Sequence, residues 1–311
     1  MAFAPIRTHL KLAKEAVRNP MNTKQTAAAN LALLLAATLW GGGFVASKVA
    51  LSGWTPFAVL ALRFGLAALL TGVLFRKRLG GTTRDTARRG IILGALILLA
   101  FSLQLTGLRH TTSAKASFLC TSYVVLVPFL SWGILRHRPG VRAVAAGILA
   151  FLGIGIISLN EAFVITPGDA LCLLYNLPYG LALVLIGQFS TPETDSIQMT
   201  FFQFLTIAVL ALALCVLTGA DFRCRDLSAV PGVLYLSIAC TLVAMLLQNT
   251  AQRHTSSVVA ALLISLESVF GFSFSLLYFQ EPVTPRMFAG SALCFGAILI
   301  CNWRPKEARQ S

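Results

Sequence analysis

Ala100-Phe-Ser-Leu-Gln104-Leu-Thr106-Gly-Leu-Arg109-His110-Thr111-Thr-Ser113 returns later in the chain as Ala244-Met-Leu-Leu-Gln248-Asn-Thr250-Ala-Gln-Arg253-His254-Thr255-Ser-Ser257. Eight of the 14 positions are identical at a constant offset of 144 residues, and Ala116/Ala260 and Leu119/Leu263 continue the register. An Arg-His-Thr motif with a Gln at a fixed distance upstream rarely recurs in register by chance. The chain therefore reads as an internal duplication, and a duplication constrains architecture before any local signal does.

The 311 residues are 57% hydrophobic and only 12% charged, with a mean hydropathy of +0.79. A soluble globular protein carries about twice that charged fraction. Apolar runs of about 20 residues recur from Ala28 onward, each long enough to cross a bilayer as a helix. The composition predicts an all-α integral membrane protein of ten transmembrane helices, at approximately 28–50, 56–75, 90–108, 114–134, 140–159, 168–188, 196–218, 229–250, 255–279 and 285–302. Residues 1–27 carry five basic residues and no apolar signal-peptide core, so they read as a basic tail, with Met21 as an alternative start or a short amphipathic surface helix as an alternative structure. The net charge of +14 does not imply nucleic acid, because no basic, aromatic-interleaved face lies outside the spans. The seven cysteines lack C-x-x-C spacing, so no zinc site, redox pair or other metal or cofactor site is expected.

With the N-terminus inside, the inside segments hold 18 basic residues and the outside segments five. The positive-inside rule then places both termini in the cytoplasm, the 303–311 tail included. Each half, 28–159 and 168–302, holds five spans. An odd number turns the second half upside down, giving two inverted five-helix repeats. That is the build of many transporters, whose sites lie at the repeat interface near the midplane.

Charges inside hydrocarbon cost about 2.5–3.5 kcal/mol each, so three stand out. Glu267 lies deep in span 9 on a stripe with Ser256, Ala260, Leu263, Gly271 and Ser275. The 144 offset pairs it with Tyr123 of span 4, and the two are expected around one central cavity. Glu267 suits a substrate-amine partner or a proton-binding carboxylate; a structural bond to a neighbouring helix is the alternative. Lys48 follows Trp40-Gly-Gly-Gly-Phe44 and is expected to snorkel to the outer interface rather than bind an anion. Arg63 aligns with Gln203 as Arg63-Phe64 and Gln203-Phe204, and structural anchoring is favoured over substrate contact for it. Trp40 sits mid-span, as cavity lining or packing. Gln104 and Gln248 occupy matched positions that suit substrate recognition or interhelix bonding. Span 6 carries Tyr175-Asn176-Leu-Pro178-Tyr179, where Pro178 breaks the hydrogen-bond ladder and puts Asn176 and Tyr179 beside the break. His110 and His254 stand at turns on opposite faces as candidate gates, and the Thr and Ser residues that follow supply N-caps.

No nucleophile elbow, P-loop, HExxH or paired-carboxylate set occurs, so neither an enzyme nor an ATP-driven pump is expected. The reading is a secondary transporter of a small metabolite, with protons as a second candidate partner and a homodimer compatible but not required. A non-transporting membrane sensor or structural partner, and a lipid-linked sugar flippase, are the alternatives.

Several motifs resemble the drug/metabolite transporter superfamily of the EamA type: Trp40-Gly-x-x-Phe44-x-x-x-Lys48, Arg63-Phe64, Phe118-Leu119-x-x-Ser122-Tyr123-Val-Val-Leu-Val-Pro128, and Leu266-Glu267 followed by Gln280-Glu281. The resemblance covers about 28–303. It implies ten spans in two inverted repeats, alternating access and export of amino acids or related metabolites across a bacterial inner membrane. Ser268 stands where the family's second repeat usually has Pro, which removes the kink a proline would impose.

Overall fold

The computed structural model describes residues 23–135, 141–158, 165–191, 193–280 and 284–302, and all regular structure among them is helical. The helices are α1 (Thr23–Gly53), α2 (Pro56–Leu74), the short α3 (Arg76–Leu79), α4 (Arg84–Leu108), α5 (Ser113–Cys120), α6 (Tyr123–Leu135), α7 (Val141–Ser158), α8 (Pro167–Leu174), α9 (Asn176–Phe189) and α10 (Ser196–Thr218). A 3-10 turn (Leu227–Ala229) then leads into α11 (Val230–Tyr235), a π-helical segment (Leu236–Val243), α12 (Ala244–Ala251), α13 (Ser257–Ile264), α14 (Glu267–Phe279) and α15 (Pro285–Asn302).

Eight helical stretches among the described residues are long and apolar enough to cross a bilayer. Two further apolar stretches, Val144–Gly153 in α7 and Phe288–Ala297 in α15, are shorter. Large apolar side chains such as Leu69, Val73, Phe151, Leu217 and Phe288 are exposed on the outside of the bundle, as lipid contact requires. This is a multi-pass membrane protein. The 1–22 and 303–311 tails, most of the basic charge at the two termini, lie outside the described residues.

Three of the expected spans are each broken near the middle. The breaks fall at Thr121–Ser122 between α5 and α6, at Tyr175 between α8 and α9, and at Ser265–Leu266 between α13 and α14. Pro178 accounts for the second: it has no N–H for the Leu174 carbonyl, and α8 ends at Leu174. The other two are repeat equivalents, offset by 144, and neither has a proline at the break. There the backbone shifts to i→i−3 bonds, with Ser122 N–H to Leu119 O and Leu266 N–H to Leu263 O, both 3.4 Å. Side-chain hydroxyls bond back to the preceding turn, Ser122 to Leu119 O at 2.8 Å and Ser265 to Leu262 O at 2.8 Å. Such back-bonding competes with the helical ladder. The kink that Ser268 was expected to remove is therefore present, built from serines.

Helices at equivalent places in the two repeats pack against each other: α2 with α10, and α7 with α15. The aligned Phe64 and Phe204 meet at 5.9 Å between ring centroids. The predicted caps form at matched residues, Thr112 accepting from Lys115 N–H and Ser256 from Val259 N–H.

The Gly41-Gly42-Gly43 run lets α1 approach α14 and the π segment closely. A Cβ at Gly41 would lie 2.4 Å from Phe270 Cβ, and one at Gly43 2.9 Å from Cys240 Sγ. Gly41→Ala is expected to cost about 1–3 kcal/mol by overpacking, read as a lower melting temperature of the purified protein; unchanged melting would mean that the α1–α14 crossing yields freely.

Candidate functional site

A cavity lies among the helices, lined by Trp40, Gly43, Phe44 and Ser47 of α1, Arg63 of α2, Phe101 and Gln104 of α4, Tyr175 and Tyr179 at the α8–α9 break, Leu236 and Cys240 of the π segment, and Glu267 of α14. Its free interior measures about 20 Å³, on the order of one water molecule's room. Both repeats contribute to the wall.

Local structure aims these groups inward. Trp40, Phe44 and Ser47 follow helical spacing along one face of α1. Trp40 is held by its indole N–H, which donates to Cys240 O at 2.7 Å. Glu267 is the first residue of α14, immediately after the Ser265–Leu266 break, and is only 4% exposed. Its Oε1 accepts from the Tyr123 hydroxyl at 3.2 Å. Tyr123 is likewise the first residue after its own break. Tyr123, Tyr179 and Tyr175 form a ladder, each neighbouring pair 4.9 Å apart between ring centroids.

Arg63 is 3% exposed. Its Nε donates to the Thr241 hydroxyl of the π segment. Its guanidinium carbon lies 4.6 Å from the Phe101 ring centroid and 5.2 Å from that of Phe64. Ion pairs among the described residues include Arg78–Asp195, Arg89–Asp85 and Lys115–Asp169; Arg63 and Glu267 face the same cavity without pairing to each other.

Of the residues singled out in the sequence, Trp40, Gln104, Tyr179 and Glu267 reach the wall, joined by Arg63. Tyr123 stands directly behind Glu267. Gln248 lies behind Tyr179, whose side chain it contacts, and donates to Gln252 Oε1 at 3.2 Å. Asn176 does not reach the cavity; its amide is spent on backbone groups of α5, α6 and α8. Gln203 is buried away from the cavity, accepting from Asn249 Nδ2 at 2.9 Å. Lys48, expected to snorkel to the outer interface, donates to Leu108 O at 2.8 Å and Thr111 O at 2.7 Å in the turn after α4, where it satisfies the C-terminal end of that helix. His110 and His254 stand at the two turns, outside the wall.

Polar links between elements lie beside those histidines. At the His110 end, Lys115 pairs with the fully buried Asp169 at 2.6 Å, and Thr111 Oγ1 donates to the same carboxylate at 2.8 Å. At the His254 end, Arg253 donates to Thr191 O at 3.1 Å and Thr194 O at 3.0 Å, and Arg89 to Phe189 O at 3.1 Å. Sequence reasoning missed Asp169. Its signal was a Thr166-Pro-Gly-Asp169 capping box opening an apolar run. Phe44 and Ser47 were readable from helical spacing after Trp40, whereas Leu236 and Cys240 were not, because a π segment does not keep the α-helical period.

The EamA-like transporter family model matches the chain twice, over residues 27–159 and 166–303. An uncharacterized transporter of Archaeoglobus fulgidus is 33% identical over 276 residues, 89% of this chain and 86% of that protein. A second uncharacterized transporter of the same organism is 26% identical over 272 residues, 84% of this chain and 91% of its own. A solved crystal structure aligns with a TM-score of 0.70 at 15% identity, covering 89% of this chain and 96% of that one, which speaks to the fold alone. The two family matches coincide with the halves that the duplicated Arg-His-Thr stretch marks out, and the chain belongs to the EamA-like transporter family.

Proposed function

We propose that this transporter is a secondary carrier that exports a small metabolite, an amino acid or analogue, by alternating access across a bacterial-type inner membrane. In this reading the chain has ten spans in two inverted five-helix repeats, 28–159 and 168–302, with cytoplasmic tails at 1–27 and 303–311. The basic-residue asymmetry supports that orientation, and the pairing of equivalent helices supports the two-fold.

One observation carries the reading. A buried carboxylate, Glu267, faces a cavity walled by both repeats, and the polar links that serve as closures lie at the two histidine turns. The cavity is too small for a metabolite as it stands, so binding requires widening and release requires one closure to part. Trp40, Gln104, Tyr179 and Glu267 then contact solute, with Tyr123, Gln248 and Asn176 supporting them. His110 and His254 flank the gates.

In proteoliposomes, Glu267→Gln is expected to abolish either transport or its pH dependence. Tyr123, Tyr175, Tyr179, Cys120, Cys240 and Arg63 are the other titratable or charged groups around it. A variant with wild-type flux and an unchanged profile from about pH 5 to pH 8 would leave Glu267 a structural residue and remove the proton as a coupled partner.

A further inference from the structure

Resting on the carrier reading above, we infer that Arg63 is the recognition residue for an oxyanion of the solute, so that the cavity selects a zwitterion held between Arg63 and Glu267. The sequence favours an anchoring role for Arg63, and its surroundings argue otherwise. An anchoring arginine normally spends its guanidinium on a carboxylate or on several carbonyls. Arg63 makes one hydrogen bond, from Nε to Thr241, and among the described residues its two Nη nitrogens donate to no protein acceptor. Neither is fully enclosed without a partner, as the side-chain amide nitrogen of Gln203 is. Those nitrogens carry four N–H donors on the fork that matches a carboxylate bidentately.

The rest of the guanidinium is fixed for that task. The Phe101 and Phe64 rings hold it by cation–π contact, and Thr241 sets its in-plane rotation through Nε. A buried cation with no counter-ion is costly, and so is a buried carboxylate whose hydrogen-bond partner is a tyrosine hydroxyl. The two do not neutralise each other, although both border the same narrow space. A solute with an ammonium at one end and an oxyanion at the other satisfies both at once. A simple amine leaves Arg63 unpaired, and a simple acid leaves Glu267 unpaired. Specificity built on buried polar groups is steep for this reason: a ligand that lacks the matching group leaves them unsatisfied. The aromatic wall of Trp40, Phe44, Phe101, Tyr175 and Tyr179 suits a bulky apolar side chain between the two charges.

The test is binding by the purified full chain to two matched probe sets, measured by isothermal titration and thermal shift. One set is L-phenylalanine, phenethylamine and 3-phenylpropionate; the other is L-leucine, isoamylamine and 4-methylpentanoate. In at least one set, the amino acid is expected to bind about tenfold or more tightly than either partial analogue. Arg63→Gln is expected to erase most of that preference over the amine while changing the amine's own affinity about twofold or less. Arg63→Lys, which keeps the charge and loses the fork, is expected to fall between. Because a buried arginine can be needed for folding, Thr241→Val provides a milder variant: it removes the Nε partner and is expected to weaken amino-acid binding more than amine binding. Equal affinity for amine and amino acid in the wild type, uniform weakening of all probes by the Arg63 variants, or no binding by either amino acid overturns the inference. Counterflow of the labelled amino acid in proteoliposomes separates the two claims. Flux without charge selectivity sinks the Arg63 assignment alone, and Arg63-dependent binding without flux sinks the carrier reading alone.

Discussion

Replacing Asn176 by leucine is expected to lower the apparent melting temperature of the purified protein by on the order of 5–15 °C and to abolish transport in the same preparation. In an unbroken helix, the Tyr123 N–H would bond the Leu119 carbonyl. The Asn176 amide is inserted into that rung: its Oδ1 accepts from Tyr123 N–H at 2.7 Å, and its Nδ2 donates to Leu119 O at 2.8 Å. The same Nδ2 reaches Leu173 O at 2.8 Å and Cys172 O at 3.3 Å. One side chain, 2% exposed, thus satisfies the groups released at two helix breaks. Hydrogen bonds inside membranes average only about 0.6 kcal/mol each, which bounds the gain. The loss is larger, because leucine fills the volume but leaves buried backbone groups unpaired at about 1–3 kcal/mol each. A total of about 2–4 kcal/mol follows. Transport suffers because Tyr123 sits on that rung and holds Glu267. Asn176→Asp keeps the acceptor for Tyr123 and loses the donors, so it is expected to be damaged as well. A leucine variant that melts within about 2 °C of wild type would mean that the Asn176 amide does not hold the two breaks together.

The second large effect is expected at Asp169. Its carboxylate is fully buried and accepts from Lys115 at 2.6 Å, Thr111 at 2.8 Å and Thr166 N–H at 3.0 Å. Breaking a buried pair by deleting one partner costs about 3–5 kcal/mol. The Lys115 side chain is 17% exposed and regains water, which brings Asp169→Ala to about 2–4 kcal/mol. Lys115→Met is expected to cost less, because Thr111 and Thr166 still bind the carboxylate. The variant should also loosen the closure at this end. Maleimide labelling of Cys240, a wall cysteine, followed by peptide mass spectrometry, is expected to rise in Asp169→Ala and to stay near background in Lys115→Arg. Equal labelling in all three proteins would mean that this ion pair holds the fold and not the gate.

The architecture was legible where the duplication left a fixed offset. That offset paired Tyr123 with Glu267, and the separate match of Arg63-Phe64 to Gln203-Phe204 paired Phe64 with Phe204; each pair is in contact. The breaks were legible only at Pro178, because proline removes a donor visibly. The other two depend on Ser122 and Ser265 bonding backward and, at the first, on an amide brought in from another helix, which no local pattern announces. Asn176 was read as cavity-facing for its proximity to Pro178, yet the carbonyls released there consume it. Arg63 was read as an anchor because the sequence could not show that, among the described residues, its Nη nitrogens lack a protein acceptor.

Glu267 is the one wall residue supplied by α5, α6, α7, α13, α14 and α15; the remaining wall comes from α1, α2, α4, the α8–α9 break and the π segment. The molecule thereby divides labour between two sets of helices. In the proposed carrier one set writes the shape and chemistry of what is recognised, and the other delivers a single charge to it. Variation along Phe44, Phe101, Tyr175 and Leu236 can retune the cargo while the delivery set stays as it is. In that reading, redesign for a new cargo has its own short address within the chain, separate from the helices that supply Glu267.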